Sequence, residues 1–173
     1  TVISLDSDYS ELFHWFINKV YKIAKKHGAS VIVIRGTQAH DASQLDNIKY
    51  LQKNDDGVDF RVYDTVEEIT LWDDYKVLVL PDIKVKQLKD VGKYLEEKEK
   101  YDLILGHGMI SQMQFFTQES ENMPTKTYIF DAHELNYACK GPVLFGHIHQ
   151  YQSIEGQFYY VGPFTMLERG NVD

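Results

Sequence analysis

Four histidines lie where the chain could do chemistry with them. Val31–Ile34 runs into Arg35-Gly36-Thr37-Gln38-Ala39-His40-Asp41, Leu103–Leu105 into Gly106-His107-Gly108, and Val143–Phe145 into Gly146-His147-Ile148-His149. Each is an apolar run, then glycine, then histidine. A neutral imidazole offers a nitrogen lone pair to borderline divalent cations. Glycine at a strand exit lets the backbone turn sharply and lets a ligand come close. Gly146-His147-Ile148-His149 is the sharpest element, because His147 and His149 reach neighbouring metal positions from one tight turn. A single such histidine is more often a hydrogen-bonded structural residue. Three Gly-His exits in one chain point instead to a cation site.

Strands and helices must bring these exits together. Val31–Ile34, Val77–Leu80, Leu103–Leu105 and Val143–Phe145 are short continuous apolar runs, which read as strands buried on both faces of a helix-covered sheet. From Asp8 to His27, Leu12, Phe13, Phe16, Ile17, Val20, Tyr21 and Ala24 recur at helical intervals, with Gly28 as the stop. Residues 84–100, rich in Lys and Glu with Val85, Leu88, Val91 and Leu95 on one side, read as a surface helix. Val58–Tyr63 and Glu67–Trp72 alternate and predict a meander, while Tyr151–Glu155 and Gln157–Val161 predict a hairpin around Gly156. The pattern is that of an α/β protein with mixed sheets. Ligands of open α/β sheets bind beyond the carboxyl ends of strands, so the three exits are expected to converge on one crevice. Residues 108–125 lack periodicity and read as a functional loop. Its Met109, Gln112, Phe115 and Phe116 either border a substrate and stack on unpaired bases, or form a satellite apolar cluster.

At 173 residues and 43% hydrophobic, the chain is expected to form a single domain over residues 1–173. Twelve Tyr, nine Phe and two Trp exclude a disordered chain. No apolar run approaches the roughly 20 residues of a membrane span, so no membrane partner is expected. Cys139 is the only cysteine, which excludes an intramolecular disulfide and fits a reducing, cytoplasmic compartment. The net charge of −8 is concentrated: eight acids and one base fall between Asp55 and Asp74, leaving 18 acids and 17 bases elsewhere. Electrostatics therefore neither predicts nor excludes DNA as a partner.

Val33-Ile34-Arg35-Gly36 with His40-Asp41, then Leu103-Ile104-Leu105-Gly106-His107, then Leu144-Phe145-Gly146-His147-Ile148-His149 together resemble the calcineurin-like metallophosphoesterases. The nearest branch is that of the SbcD-type DNA repair exonucleases. The likeness runs from the helix at residue 8 to Gly162-Pro163-Phe164. It implies a sandwich of two mixed β-sheets flanked by helices, with the N-terminal strands missing. It also implies two divalent metal ions, commonly manganese (Mn2+), that activate water for in-line attack on phosphorus. His107 and His147 would bind the second metal and His149 the first. His40 would assist the leaving group or the transition state, and Asp41 would orient His40. Asp41 is equally well read as an acid at a helix N-terminus.

The implied function is phosphodiester hydrolysis, as an exonuclease or endonuclease subunit of a DNA repair or recombination complex. DNA and an SbcC-type ATPase subunit are the implied partners, and an exposed sheet edge would favour a homo-oligomer. Two departures bear on the metal site. Relative to the family's Gly-Asn-His-Asp, two residues are inserted before His40, and Thr37 or Gln38 stands where an asparagine ligand is usual. The family's opening Asp-x-His and Gly-Asp-x-x-Asp motifs are not in this sequence, so the resemblance implies a chain that begins just after them. Two alternatives stay open: a catalytically silent fragment or degenerate homologue that serves as a binding module, and a small-molecule phosphoesterase.

Overall fold

The computed structural model describes residues 7–37, 45–53, 56–82, 91–112, 128–154 and 156–162. The chain divides into two compact units, Thr1–Asp64 and Thr65–Asp173.

The first unit holds helix α1 (Ser7–His27), strand β1 (Val31–Ile34), a 3-10 helix (Lys49–Lys53) and strand β2 (Phe60–Tyr63). α1 ends at Gly28, whose φ of 62° is the left-handed conformation that suits a residue without Cβ. Ile17 and Ala24 of α1 pack with Leu45, Ile48, Leu51, Val58, Phe60 and Val62 into a small core. Val31 and Val33 lie against that core, but all four residues of β1 are only half-buried. The expectation of a strand buried on both faces fails here, because the apolar run has a covered face and a partly open one. β1 and β2 pair in parallel, from Val31 opposite Phe60 to Ile34 opposite Tyr63.

The second unit contains β3 (Glu67–Leu71), β4 (Tyr75–Leu80), α2 (Gly92–Leu95), β5 (Leu103–His107), β6 (Met109–Ile110), β7 (Ile129–Phe130), α3 (Ala132–Ala138), β8 (Val143–Gly146), β9 (Gln152–Ile154) and β10 (Phe158–Tyr160). Six strands form a mixed sheet in the order β3-β4-β5-β8-β10-β9. β4, β5, β8 and β10 run parallel, while β3 and β9 pair antiparallel at the two ends. One face supplies Leu78, Leu80, Ile104, Val143, Phe145, Phe158 and Tyr160 to the main core, covered by Val91, Leu95, Ala132, Leu135 and Ala138 from the helical segments. The mixed α/β class and the terminal hairpin are thus as expected.

Several local expectations are corrected. The meander over 58–72 does not form: β2 pairs with β1, and β3 instead makes a hairpin with β4 around Trp72-Asp73-Asp74. Two neighbouring alternating segments carry no record of which strand each will pair with, and β2 takes the register that buries Phe60 and Val62. Only Val77–Leu80 is wholly buried; in β5 and β8 buried and half-buried residues alternate. Within the segment 84–100, α2 covers only Gly92–Leu95, and residues 83–90 lie outside the described ones. Met109 belongs to a buried strand paired with β7, which places it in the core instead of against a substrate. Gln112 caps the start of α3, its Oε1 accepting from the Ala132 amide at 2.9 Å. Phe115 and Phe116 lie outside the described residues.

Four of the eight acids in the acidic window are engaged in internal pairing. Asp56 accepts hydrogen bonds from Tyr21 and Lys25, Asp59 from both arms of Arg61, Asp64 from Lys49 and Arg35, and Glu68 from Lys100 and Tyr101. Asp64 ties the end of β2 to Arg35 just past β1 and to the 3-10 helix. The Lys49 ammonium holds its carboxyl below the usual carboxylate range, against the opposing effect of burial. The carboxylate is 31% exposed and the ammonium 36%, so solvent screening limits the pair to about 1 kcal/mol or less. A lowered folded-state pKa stabilises above the unfolded value and is lost as pH falls through the folded one. Asp64→Asn should therefore unfold at lower urea than wild type at pH 7. That gap should close as the pH drops below about 3.9. Equal gaps at pH 7 and pH 3 would show that the ion pair is not the cause.

Candidate metal-binding site at two strand ends

β5 and β8 are adjacent and parallel, and their register sets His107 opposite Gly146. Two Gly-His exits that are remote in sequence thus leave the sheet side by side. His107 is the last residue of β5, and His147 follows the last residue of β8. Their rings meet edge to face, with centroids 5.2 Å apart and planes at 85°. Gly146 makes room for this contact, since a Cβ there would lie 3.1 Å from His107 Cδ2. Gly106 does the same on the core face, where a Cβ would meet the Phe145 ring at 2.3 Å.

The backbone at the pair is held in an unusual shape. His147 has a φ of 109°, a region that side chains with a Cβ rarely adopt. Such conformations cost about 1–3 kcal/mol and persist where the surroundings over-determine them, often at ligand sites. Past His107, Gly108 has a φ of 153°; its amide donates to the Gly146 carbonyl at 3.4 Å. Its own carbonyl accepts from the buried Tyr160 hydroxyl at 2.9 Å. His149 is half-buried on the turn that follows, and Gly162, at a φ of 70°, passes beneath that turn. A Cβ on Gly162 would come within 3.5 Å of the Tyr151 amide nitrogen and 3.9 Å of the His149 carbonyl oxygen.

The spacing of the imidazole pair suits a shared cation. Nitrogen–metal distances near 2.1 Å and tetrahedral angles place two ligating rings with centroids about 5 Å apart. Edge-to-face contact between neutral rings has a similar range, so the pair keeps this spacing through its own packing. Among the described residues, no group of three or more His, Cys, Asp and Glu gathers around one point. His40, Asp41 and Gln38 lie outside the described residues. Thr37 is half-buried beyond β1, in the first compact unit. The neighbouring Arg35 is engaged with Asp64 at 3.2 Å. Two of the four strand-exit histidines are therefore seen in contact, and a third follows on the same turn.

The chain matches no family model and no curated protein.

Other residues singled out by sequence have structural roles. His133 is exposed on α3, and its amide is capped by Asp131 at 2.7 Å. Cys139 is buried, and burial pushes its thiol up, which makes it a poor nucleophile at neutral pH. The contact of Tyr160 with Gly108 is one that sequence reasoning missed. Tyr160 read as one aromatic of a terminal hairpin, and nothing local marks a tyrosine whose partner lies two strands away. Among the described residues, no helix is long and apolar enough to cross a membrane.

Proposed function

We propose that this chain is a metal-dependent phosphodiester hydrolase of the metallophosphoesterase type, acting on DNA in a repair or recombination complex. The observation that carries the proposal is the pair of Gly-His exits on adjacent parallel strands, with the His107 and His147 rings 5.2 Å apart. On this reading His107 and His147 hold one divalent ion and His149 a second, with manganese as the metal. Bound ions would supply charge neutralisation at phosphorus and a water of lowered pKa. The chain's own residues bind and orient. The strained His147 backbone fixes the direction of one imidazole, and Gly146 leaves space for the other. His40 would serve the leaving group, with Asp41 orienting it.

A sandwich of two facing sheets belongs to the same proposal. The face of the six-stranded sheet away from the main core is apolar, with Ile69, Leu71, Val77, Val79, Leu103 and Leu105, as sheet-on-sheet packing requires. An SbcC-type ATPase, a second copy of the chain and a cytoplasmic setting complete this reading.

The test is hydrolysis by the full encoded protein of end-labelled single- and double-stranded DNA, alongside bis(p-nitrophenyl) phosphate, with and without Mn2+. DNA cleavage that needs Mn2+ and stops with chelator is expected. Cleavage of the small diester alone would move the substrate to small phosphoesters. No hydrolysis of any substrate would leave the chain a binding module.

A further inference from the structure

We infer that Tyr160 is a positioning residue for the imidazole pair, acting through the Gly108 peptide and not through the ligand. The inference rests on the metal-site reading of His107 and His147. Tyr160 lies on β10, in register with Phe145 of β8, and so is two strands from β5. Two strand spacings are about 10 Å, a reach that the tyrosine side chain and its hydrogen bond cover only together. Its hydroxyl donates to the Gly108 carbonyl at 2.9 Å in a fully buried setting. The Gly108 amide donates to the Gly146 carbonyl. Gly108 is thus bonded at both its amide and its carbonyl, and it joins directly to His107 while its partner Gly146 joins directly to His147.

The arrangement separates the grip from the ligand face. Tyr160 belongs to the core cluster, whereas His107 alternates with the core-facing Gly106 and projects from the other side of the sheet. Sheet ladders do not control the direction of a residue at a strand end, because pairing stops there. A buried hydroxyl one residue on supplies the missing constraint, and a rigid core transmits it. Tyr159 provides a matched control. Its hydroxyl also donates to a carbonyl, that of Gly156 at 2.5 Å, but in the hairpin turn away from the histidines.

The experiment compares wild type, Tyr160→Phe, Tyr159→Phe and His147→Ala, using Co2+ titration followed by visible absorption and, independently, the nuclear Overhauser contact between the His107 and His147 rings without metal. Tyr160→Phe should keep the wild-type circular dichroism spectrum, bind Co2+ about 10–100-fold more weakly and lose or weaken the ring contact. Tyr159→Phe should change neither. A Tyr160→Phe variant with the ring contact undiminished overturns the inference, whatever the metal does. Co2+ affinity unchanged by His147→Ala overturns the metal-site reading instead, and the ring contact still decides the role of Tyr160.

Discussion

On the proposed hydrolase reading, His147→Ala is expected to lower Mn2+-dependent DNA hydrolysis by more than about 100-fold, since removal of residues that merely orient metal ligands already costs about 10–100-fold. His147→Gly should be as inactive, and the two variants should differ in stability. Alanine keeps a Cβ and therefore keeps the strain of a φ near 109°, whereas glycine adopts that angle freely. Relief of about 1–3 kcal/mol of strain outweighs the roughly 0.5–1 kcal/mol of extra chain entropy that glycine loses on folding. The glycine variant should then melt above the alanine variant, and at or above wild type. Activity retained by either variant would remove His147 from the site. Equal melting of the two variants would show that the backbone there is not strained. The expected combination, a more stable but inactive protein, is what a residue held in place for chemistry should give.

The second large effect concerns Gly106. A Cβ at this position would meet three ring atoms of Phe145 at 2.3–2.8 Å. That ring has nowhere to go: it is fully buried and packs against Phe130, Phe158 and Tyr160. Gly106→Ala should therefore destabilise by about 1–3 kcal/mol or more, the range for overpacking a filled core. It should also disturb the histidine pair, because Gly106 precedes His107 and Phe145 precedes Gly146. Adding Phe145→Leu should recover part of the loss, so the double variant should be more stable than the sum of the single losses predicts. Urea denaturation of the four proteins measures this coupling. Strict additivity would mean that the Gly106–Phe145 contact does not limit the packing.

Much of the local structure was legible because it is written in short-range patterns. The helix ending at Gly28, the buried run Val77–Leu80 and the hairpin about Gly156 each declare themselves through periodicity or a turn residue. The pairing of β2 was not legible, since its partner is chosen by long-range burial of Phe60 and Val62. The strand at Met109 was hidden for the same reason: a two-residue strand has no period to detect, and only β7 makes it a strand. The pairing of the acidic window was likewise not legible. Four of its acids bond to bases or tyrosines that are mostly distant in sequence.

By itself the sequence determined which side chains could bind a cation and that each follows an apolar run and a glycine, because those are properties of residue type and immediate neighbours. Which of these exits become neighbours was decided only by the tertiary structure. His107 and His147 meet because β5 and β8 pair in parallel with His107 opposite Gly146. That register follows from burying Ile104, Val143 and Phe145 in one core, not from any spacing along the chain. The tyrosine beneath them belongs to the same category. Its hydroxyl finds Gly108 only after three strands have been laid side by side, when a buried polar group must take the partner that packing brings within reach.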